Sequence, residues 1–445
     1  MGFLKKALGD LMVAAVCVAL CLAVAEAALR HTEKRHLVLN AGLKMKDYFH
    51  ADVETGYDIT PNLPPFTIET WDLKYEVWSN GLGCFDLPFN GGEDYILLLG
   101  DSQAQWYSPL EDKLGSVAGK ALGMRVLQCA VDGFGAKGEL EKARRVLAQL
   151  PNPPKMIILA SAPNDVRDDY LYPLMTVVDG YRVRLVQLTD EVTGEYEVKN
   201  DREELERETE NFIKLCSNRP ALSGVDYAIR RAGCFMQRNS VVYNIAKEPA
   251  KKIIKKVAGV FMDSGDKRTL PDNHPAKNEP RRLPCPVWYA SPTQYPWLTK
   301  AWEGEARLFE EFKKLANDTG AIPFSLMIAE NEQVYSYFPK GPGCDVELPN
   351  RKVQKFCQAL GIPHFDLMDG FRKYADQTPK EKMDPVNDLY WRYDGHMNKK
   401  GNHLAGLLLA QRILESGLLP IQDAEKKLAG IKEQLKSFEP AKKSG

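Results

Sequence analysis

Ser102 stands in Gly100-Asp101-Ser102, directly after the apolar run Tyr95–Leu99 and before a stretch with helical patterning. At the exit of a buried strand its hydroxyl would project beyond the carboxyl edge of a sheet, with its own N–H facing a developing oxyanion. A neutral serine hydroxyl is a weak nucleophile, so it needs a nearby base, a group that orients the base, and donors for the oxyanion. Candidates for all of these are present. His396 lies in Tyr393-Asp394-Gly395-His396-Met397-Asn398, with Asp394 two residues before it. One loop thus carries an imidazole to take the serine proton and a carboxylate to hold its tautomer. Gly133 follows the run Arg125–Val131 and offers a backbone N–H that no side chain screens. Asn164, in Ser161-Ala162-Pro163-Asn164-Asp165, adds a side-chain amide.

Each feature alone has an ordinary structural reading: a helix N-cap serine, a solvated His–Asp pair, a tight turn at Gly133, an Asn–Asp turn or cap. Four of them at strand ends are much less expected by accident. A metal-dependent phosphodiesterase using Asp101, Asp394, His396 and His403 is the competing chemistry, but nothing supplies its usual further carboxylate and His ligands. No metal or cofactor is expected.

The elements that must position these groups read as α/β. Tyr95–Leu99, Arg125–Val131 and Met156–Ala160 are strand-like runs separated by helical patterns at Glu111–Leu122 and Lys137–Leu150. Such alternation implies βαβ units and a parallel sheet with helices on both faces, whose ligands bind beyond the carboxyl ends of the strands. Residues 37–92 read as an irregular lead-in with short β-like pieces such as Tyr75–Trp78, and about 166–300 as an inserted, mostly helical segment with helices at Asp201–Leu215 and Tyr227–Ile245. The pattern resumes with a helix at Trp302–Ala316, a strand at Pro323–Ile328, an extended piece at Pro363–Leu367 and a helix at Leu404–Leu414. The catalytic domain is therefore expected over 93–420, followed by a tail, 421–445, that starts helical and frays.

Composition narrows the class. Charged residues make up 27% of the 445 and the formal net charge is −1, which removes the basic excess that drives nucleic-acid binding. Residues 1–36 stand apart: Lys5 and Lys6 precede a run from Leu11 to Ala25 without a charge. This reads as a signal anchor or a cleavable signal peptide, with the anchor favoured. Outside that run seven cysteines remain, none in CxxC spacing, so one or two disulfides of unreadable connectivity fit better than zinc.

With these blocks in order, the chain resembles the SGNH (GDSL-type) hydrolase superfamily, in a membrane-anchored bacterial branch similar to polysaccharide O-acetyltransferase and esterase members. Gly100-Asp101-Ser102 matches the nucleophile block, Gly133 the glycine block, Asn164-Asp165 the Asn-Asp block, and Asp394 with His396 the acid-base block. Ser79–Gly83 and Ile328–Tyr335 look like further segments of anchored members. The resemblance implies a flavodoxin-like three-layer α/β/α sandwich around a parallel sheet. It implies Ser102 as nucleophile, His396 as base and Asp394 as its orienter, with the Ser102 N–H, the Gly133 N–H and the Asn164 side chain as oxyanion hole. Three departures stand out: Gln103 where many members carry Leu, Phe or Tyr, Ala162 where many carry Gly, and Asp-x-His in place of Asp-x-x-His.

The expected activity is a serine esterase or O-acyltransferase working on O-acyl, chiefly O-acetyl, esters of a cell-envelope or secreted carbohydrate. Its domain would sit outside the cytoplasm, held to the membrane by the N-terminal helix or secreted after cleavage. The alternative is a catalytically silent envelope scaffold of the same fold that binds glycan or a protein partner.

Overall fold

A computed structural model describes residues 2–32, 45–69, 73–106, 108–206, 235–236, 240–246, 249, 286–336, 343–378, 384, 386–392 and 395–439. The chain divides into two compact units, one of residues 1–43, 69–71 and 210–282, the other of 44–68, 72–209 and 283–445. In the smaller unit, helix α1 runs from Gly2 to Arg30. Its segment Met12–Arg30 has a mean hydropathy of 2.5, long and apolar enough to cross a membrane, a test that a signal sequence also passes. Glu26 near its end accepts hydrogen bonds from Ser240 Oγ at 2.9 Å and from the Val241 and Val242 N–H groups at 3.0 Å. It thereby caps the helical residues 241–246. The rest of the expected helix over Tyr227–Ile245 lies almost wholly outside the described residues.

The larger unit opens with an antiparallel hairpin, β1 (Phe49–Asp52) with β2 (Gly56–Ile59), and a two-stranded sheet of β3 (Phe66–Glu69) and β4 (Lys74–Val77). The lead-in expected to be irregular is therefore partly a β structure. Four-residue strands are too short to show a clear period in sequence. Then come β5 (Tyr95–Gly100), α2 (Ser102–Gln105), α3 (Leu114–Leu122), β6 (Arg125–Gln128), α4 (Ala136–Gln149), β7 (Met156–Ser161) and α5 (Asp165–Tyr170). The segment expected as a helical insertion continues instead with two more hairpins, β8 (Met175–Val178) with β9 (Tyr181–Arg184) and β10 (Val186–Leu188) with β11 (Tyr196–Val198). Only 202–206 of the expected helix Asp201–Leu215 is described, and it is helical. The chain closes with α6 (Trp297–Thr319), β12 (Ile322–Met327), α7 (Asn331–Val334), α8 (Leu348–Leu360), β13 (His364–Asp366), α9 (Met368–Tyr374), α10 (Lys399–Ser416) and α11 (Ala424–Lys436).

Five strands form one parallel sheet in the order β13-β12-β7-β5-β6. Alternate residues of β5 enter opposite cores, as the two-residue strand period requires. Ile96 and Leu98 pack with residues of α3, α9, α10 and α11, whereas Tyr95, Leu97 and Leu99 pack with residues of α4, α6 and α8. Two helical layers thus cover the two faces of the central strands. The approach of α10 to α3 is close enough that a Cβ on Gly406 would stand 2.6 Å from Val117 Cβ. The C-terminal helix α11 belongs to this core, with Ile431 and Leu435 buried in it. The fraying expected of the tail falls on residues beyond 439, outside those described.

Candidate active site

Because β5 lies between β6 and β7, the turn carrying Ser102 is flanked by the turns carrying Gly133 and Asn164. Asp101 accepts the Gln103 N–H at 2.8 Å and caps α2, which makes Ser102 the first helical residue. Its N–H is one of the donors every helix start leaves open, and it has no acceptor among the described residues. At the other end of this single turn, the buried Lys113 donates through Nζ to the Ala104 and Gln105 carbonyls. Burial pulls the Lys113 amine down to about 7.

His396 Nε2 stands 2.8 Å from Ser102 Oγ. The other neighbour of that hydroxyl, Asp101 Oδ2, is 3.4 Å away, so the short contact is the one to the ring. The His396 loop is braced from several sides. Its carbonyl accepts the Trp391 N–H at 2.9 Å, and the next residue, Met397, donates its N–H to Gln103 Oε1 at 3.2 Å. Asn398 caps α10 through the Gly401 N–H and also donates to the Asp388 and Tyr390 carbonyls. From the segment after β12, Tyr335 Oη accepts the Leu389 N–H at 2.9 Å, and Tyr390 donates to the Ala329 carbonyl at 2.6 Å. Asp394 lies outside the described residues.

Gly133 has φ +82°, and a Cβ there would stand 2.8 Å from the Tyr57 hydroxyl oxygen, so both backbone and space call for glycine. Its N–H has no acceptor among the described residues. Asn164 donates through Nδ2 to Asp168 Oδ2 at 2.9 Å, and Arg167 holds Asp168 from its other oxygen. One Asn164 amide proton is thus used for orientation and the second is left to donate elsewhere. Asp165 acts structurally, since its Oδ2 accepts the Ala162 N–H at 2.9 Å and closes the turn.

Acidic groups crowd behind the nucleophile. Burial raises Asp101 to about 7, opposed by the Gln103 N–H and the charge of His396 and reinforced by Asp132 and Asp168. Glu139, Asp165 and Glu305 are pushed well above the usual carboxylate range by burial first and then by neighbouring carboxylates, Asp101 and Asp169 beside Glu139, Glu139 and Asp101 beside Asp165, and Asp169 and Glu139 beside Glu305; burial raises Asp169 to about 6. Asp169 accepts the Ala136 and Lys137 N–H groups at the start of α4. Among the described residues no group of three His, Cys, Asp or Glu side chains is arranged to hold a metal. His403, part of the phosphodiesterase alternative, packs its ring against Phe438 at 5.9 Å and bonds to Gln434. It faces the C-terminal helix, which corrects its grouping with His396 as a metal ligand.

The sequence showed Gln103 only as a departure from a family pattern; here it joins the serine turn to the histidine turn across 294 positions. Asp168 could have been found from its i+4 spacing to Asn164 on one short helix. Tyr57, Gln105 and Arg182, which surround the Asp132–Gly133 link, carry no local signal.

No family model matches the sequence, and no curated protein matches it. Among solved structures the chain is similar to an alpha/beta hydrolase enzyme from the metagenome of Lake Arreo, at 10% identity and a TM-score of 0.34, covering 76% of this chain and 98% of that one. It is also similar to an acetylxylan esterase from Geobacillus stearothermophilus, solved as a catalytic mutant (14% identity, TM-score 0.29, 74% of this chain and 94% of that one). A third likeness is to an acetyl xylan esterase from the rumen bacterium Butyrivibrio proteoclasticus (8% identity, TM-score 0.30, 75% of this chain and 66% of that one). Scores this low leave the chemistry to be read from the geometry above.

Proposed function

We propose that the chain is a serine esterase or O-acyltransferase acting on O-acyl, chiefly O-acetyl, esters of a cell-envelope or secreted carbohydrate. The observation that carries this reading is the 2.8 Å contact between His396 Nε2 and Ser102 Oγ, formed by residues 294 positions apart. As Ser102 Oγ bonds to the ester carbonyl carbon, its proton passes to His396 Nε2 and the carbonyl electron pair moves onto oxygen. The Ser102 N–H, the Gly133 N–H and the remaining Asn164 amide proton receive that oxyanion. Collapse breaks the carbon–oxygen bond to the leaving alcohol, which takes the proton from His396. Water or a sugar hydroxyl then gives its proton to His396 and attacks the acyl carbon, and Ser102 leaves with the proton returned. Asp394 is assigned the orienting of the ring.

An extracytoplasmic setting fits two features. Cys84 is disulfide-bonded to Cys129 and Cys344 is in a second disulfide, bonds that persist in oxidising compartments. Helix α1 has the length and hydropathy of an anchor or signal.

Purified chain in detergent tests the reading with p-nitrophenyl acetate. Ser102→Ala is expected to reduce turnover to background with an unchanged melting temperature. Undiminished turnover in that variant would remove Ser102 from the mechanism.

A further inference from the structure

The Gly133 N–H belongs to the same peptide unit as the Asp132 carbonyl, and in a trans peptide the two point in opposite directions within one plane. Whatever grips that carbonyl therefore sets where the N–H points. Two side chains grip it: Tyr57 donates its hydroxyl at 2.6 Å, and Arg182 donates a guanidinium N–H to the same oxygen. Arg182 also pairs with the Asp132 carboxylate, so its fork holds the residue at two points. On the near side, the Asp132 N–H donates to Gln105 Oε1, and Gln105 in turn donates to the buried Tyr48 hydroxyl at 3.1 Å.

The clamp is built rather than incidental. The Arg182 guanidinium stacks 4.7 Å from the Phe49 ring centroid and 5.2 Å from that of Tyr57, and the Tyr57 side chain is almost wholly buried. Tyr57 comes from the β1–β2 hairpin and Arg182 from the β8–β9 hairpin, both additions to the sheet. Hydrogen bonds to a carbonyl polarise the whole amide and strengthen donation from its N–H, the more so when the donor is cationic and the surroundings are dry.

We infer that Tyr57 and Arg182 are positioning residues for the acyl-transfer reaction, aligning and polarising the Gly133 N–H as an oxyanion donor through the Asp132 carbonyl. The two hairpins thereby become part of the catalytic machinery. This inference rests on the Ser102 reading above.

Full-length chain in detergent would be assayed with p-nitrophenyl acetate for kcat and KM and with a trifluoromethyl ketone, which forms a hemiketal oxyanion on a catalytic serine. Tyr57→Phe keeps the ring and deletes only the donor. It is expected to lower kcat about tenfold, a fraction of the roughly 10²–10³ that follows loss of a whole oxyanion donor, with KM within about twofold. Affinity for the ketone should weaken by the same factor as kcat/KM. Arg182→Gln is expected to be slower still, and Arg182→Lys to recover part of the loss. Unchanged kcat and unchanged ketone affinity in folded Tyr57→Phe would overturn the inference, as would a loss confined to KM. Should Arg182→Gln not fold, Tyr57→Phe decides alone. Failure of the Ser102 reading is distinguishable, because Ser102→Ala would then retain the turnover of the wild-type chain.

Discussion

At the scale of single residues, the site depends on how donors are spent. Asn164 uses one amide proton on Asp168 and keeps one. Asn164→Ala is therefore expected to lower kcat by about 10²-fold with little change in KM, as for loss of one oxyanion donor; steady-state kinetics on p-nitrophenyl acetate checks this. Gln103 has a different role. Replacing it by Leu removes the acceptor of the Met397 N–H, leaves that donor buried, and should destabilise the fold by about 1–3 kcal/mol. Denaturant titration would measure the loss, and a melting curve identical to wild type would contradict it. The serine, glycine and asparagine stand out in the sequence because each follows an apolar run at a turn, and the histidine because Asp394 precedes it by two. Gln103, Tyr57 and Arg182 do not, because their partners lie 294, 75 and 50 positions away and no local period connects such pairs.

At the scale of elements, four of the five sheet strands were readable as largely apolar runs and β13 only as a short extended piece, because His364-Phe365-Asp366 lies at the sheet edge while the central strands are covered on both faces by helices. Apart from Tyr75–Val77 in β4, the short strand pairs were hidden. Their strands have three or four residues each, and β8 pairs with β9 only because Asp179 and Gly180, both at positive φ, turn the chain. Outside the sheet, the Cys84–Cys129 disulfide ties the lead-in to the end of β6, across a separation of 45 residues. Replacing both cysteines by Ser should cost about 2–5 kcal/mol. Chemical unfolding of the double variant tests this, and an unchanged midpoint would mean that the lead-in is held by packing alone.

Across the whole molecule, the buried acids set how stability responds to pH. Burial raises Asp101 to about 7 and Asp169 to about 6, and lifts Glu139, Asp165 and Glu305 well above the usual carboxylate range, so the folded state binds more protons than the unfolded one above pH 4. Stability from these groups is fully present below their unfolded pKa near 4 and is lost as pH rises through the folded values. Burial lowers Lys113 to about 7, which acts oppositely only above that value, and lowers His364 to about 4, which opposes the five acids with a single group up to its ordinary pKa near 6.5. The melting temperature is thus expected to fall between pH 5 and pH 7, and Glu139→Gln to flatten that slope. No sequence pattern showed this, since Glu139 reads as the polar flank of an amphipathic helix and is buried only because α5 and α6 close over α4.

The central claim is that Ser102 is a nucleophile activated by His396, and active-site labelling tests it most directly. Folded full-length chain treated with a fluorophosphonate should gain one adduct, mapped by peptide mass to Ser102, and His396→Ala should slow that labelling by at least about 10³-fold. An adduct elsewhere, or labelling of Ser102 at an equal rate without His396, would contradict the account.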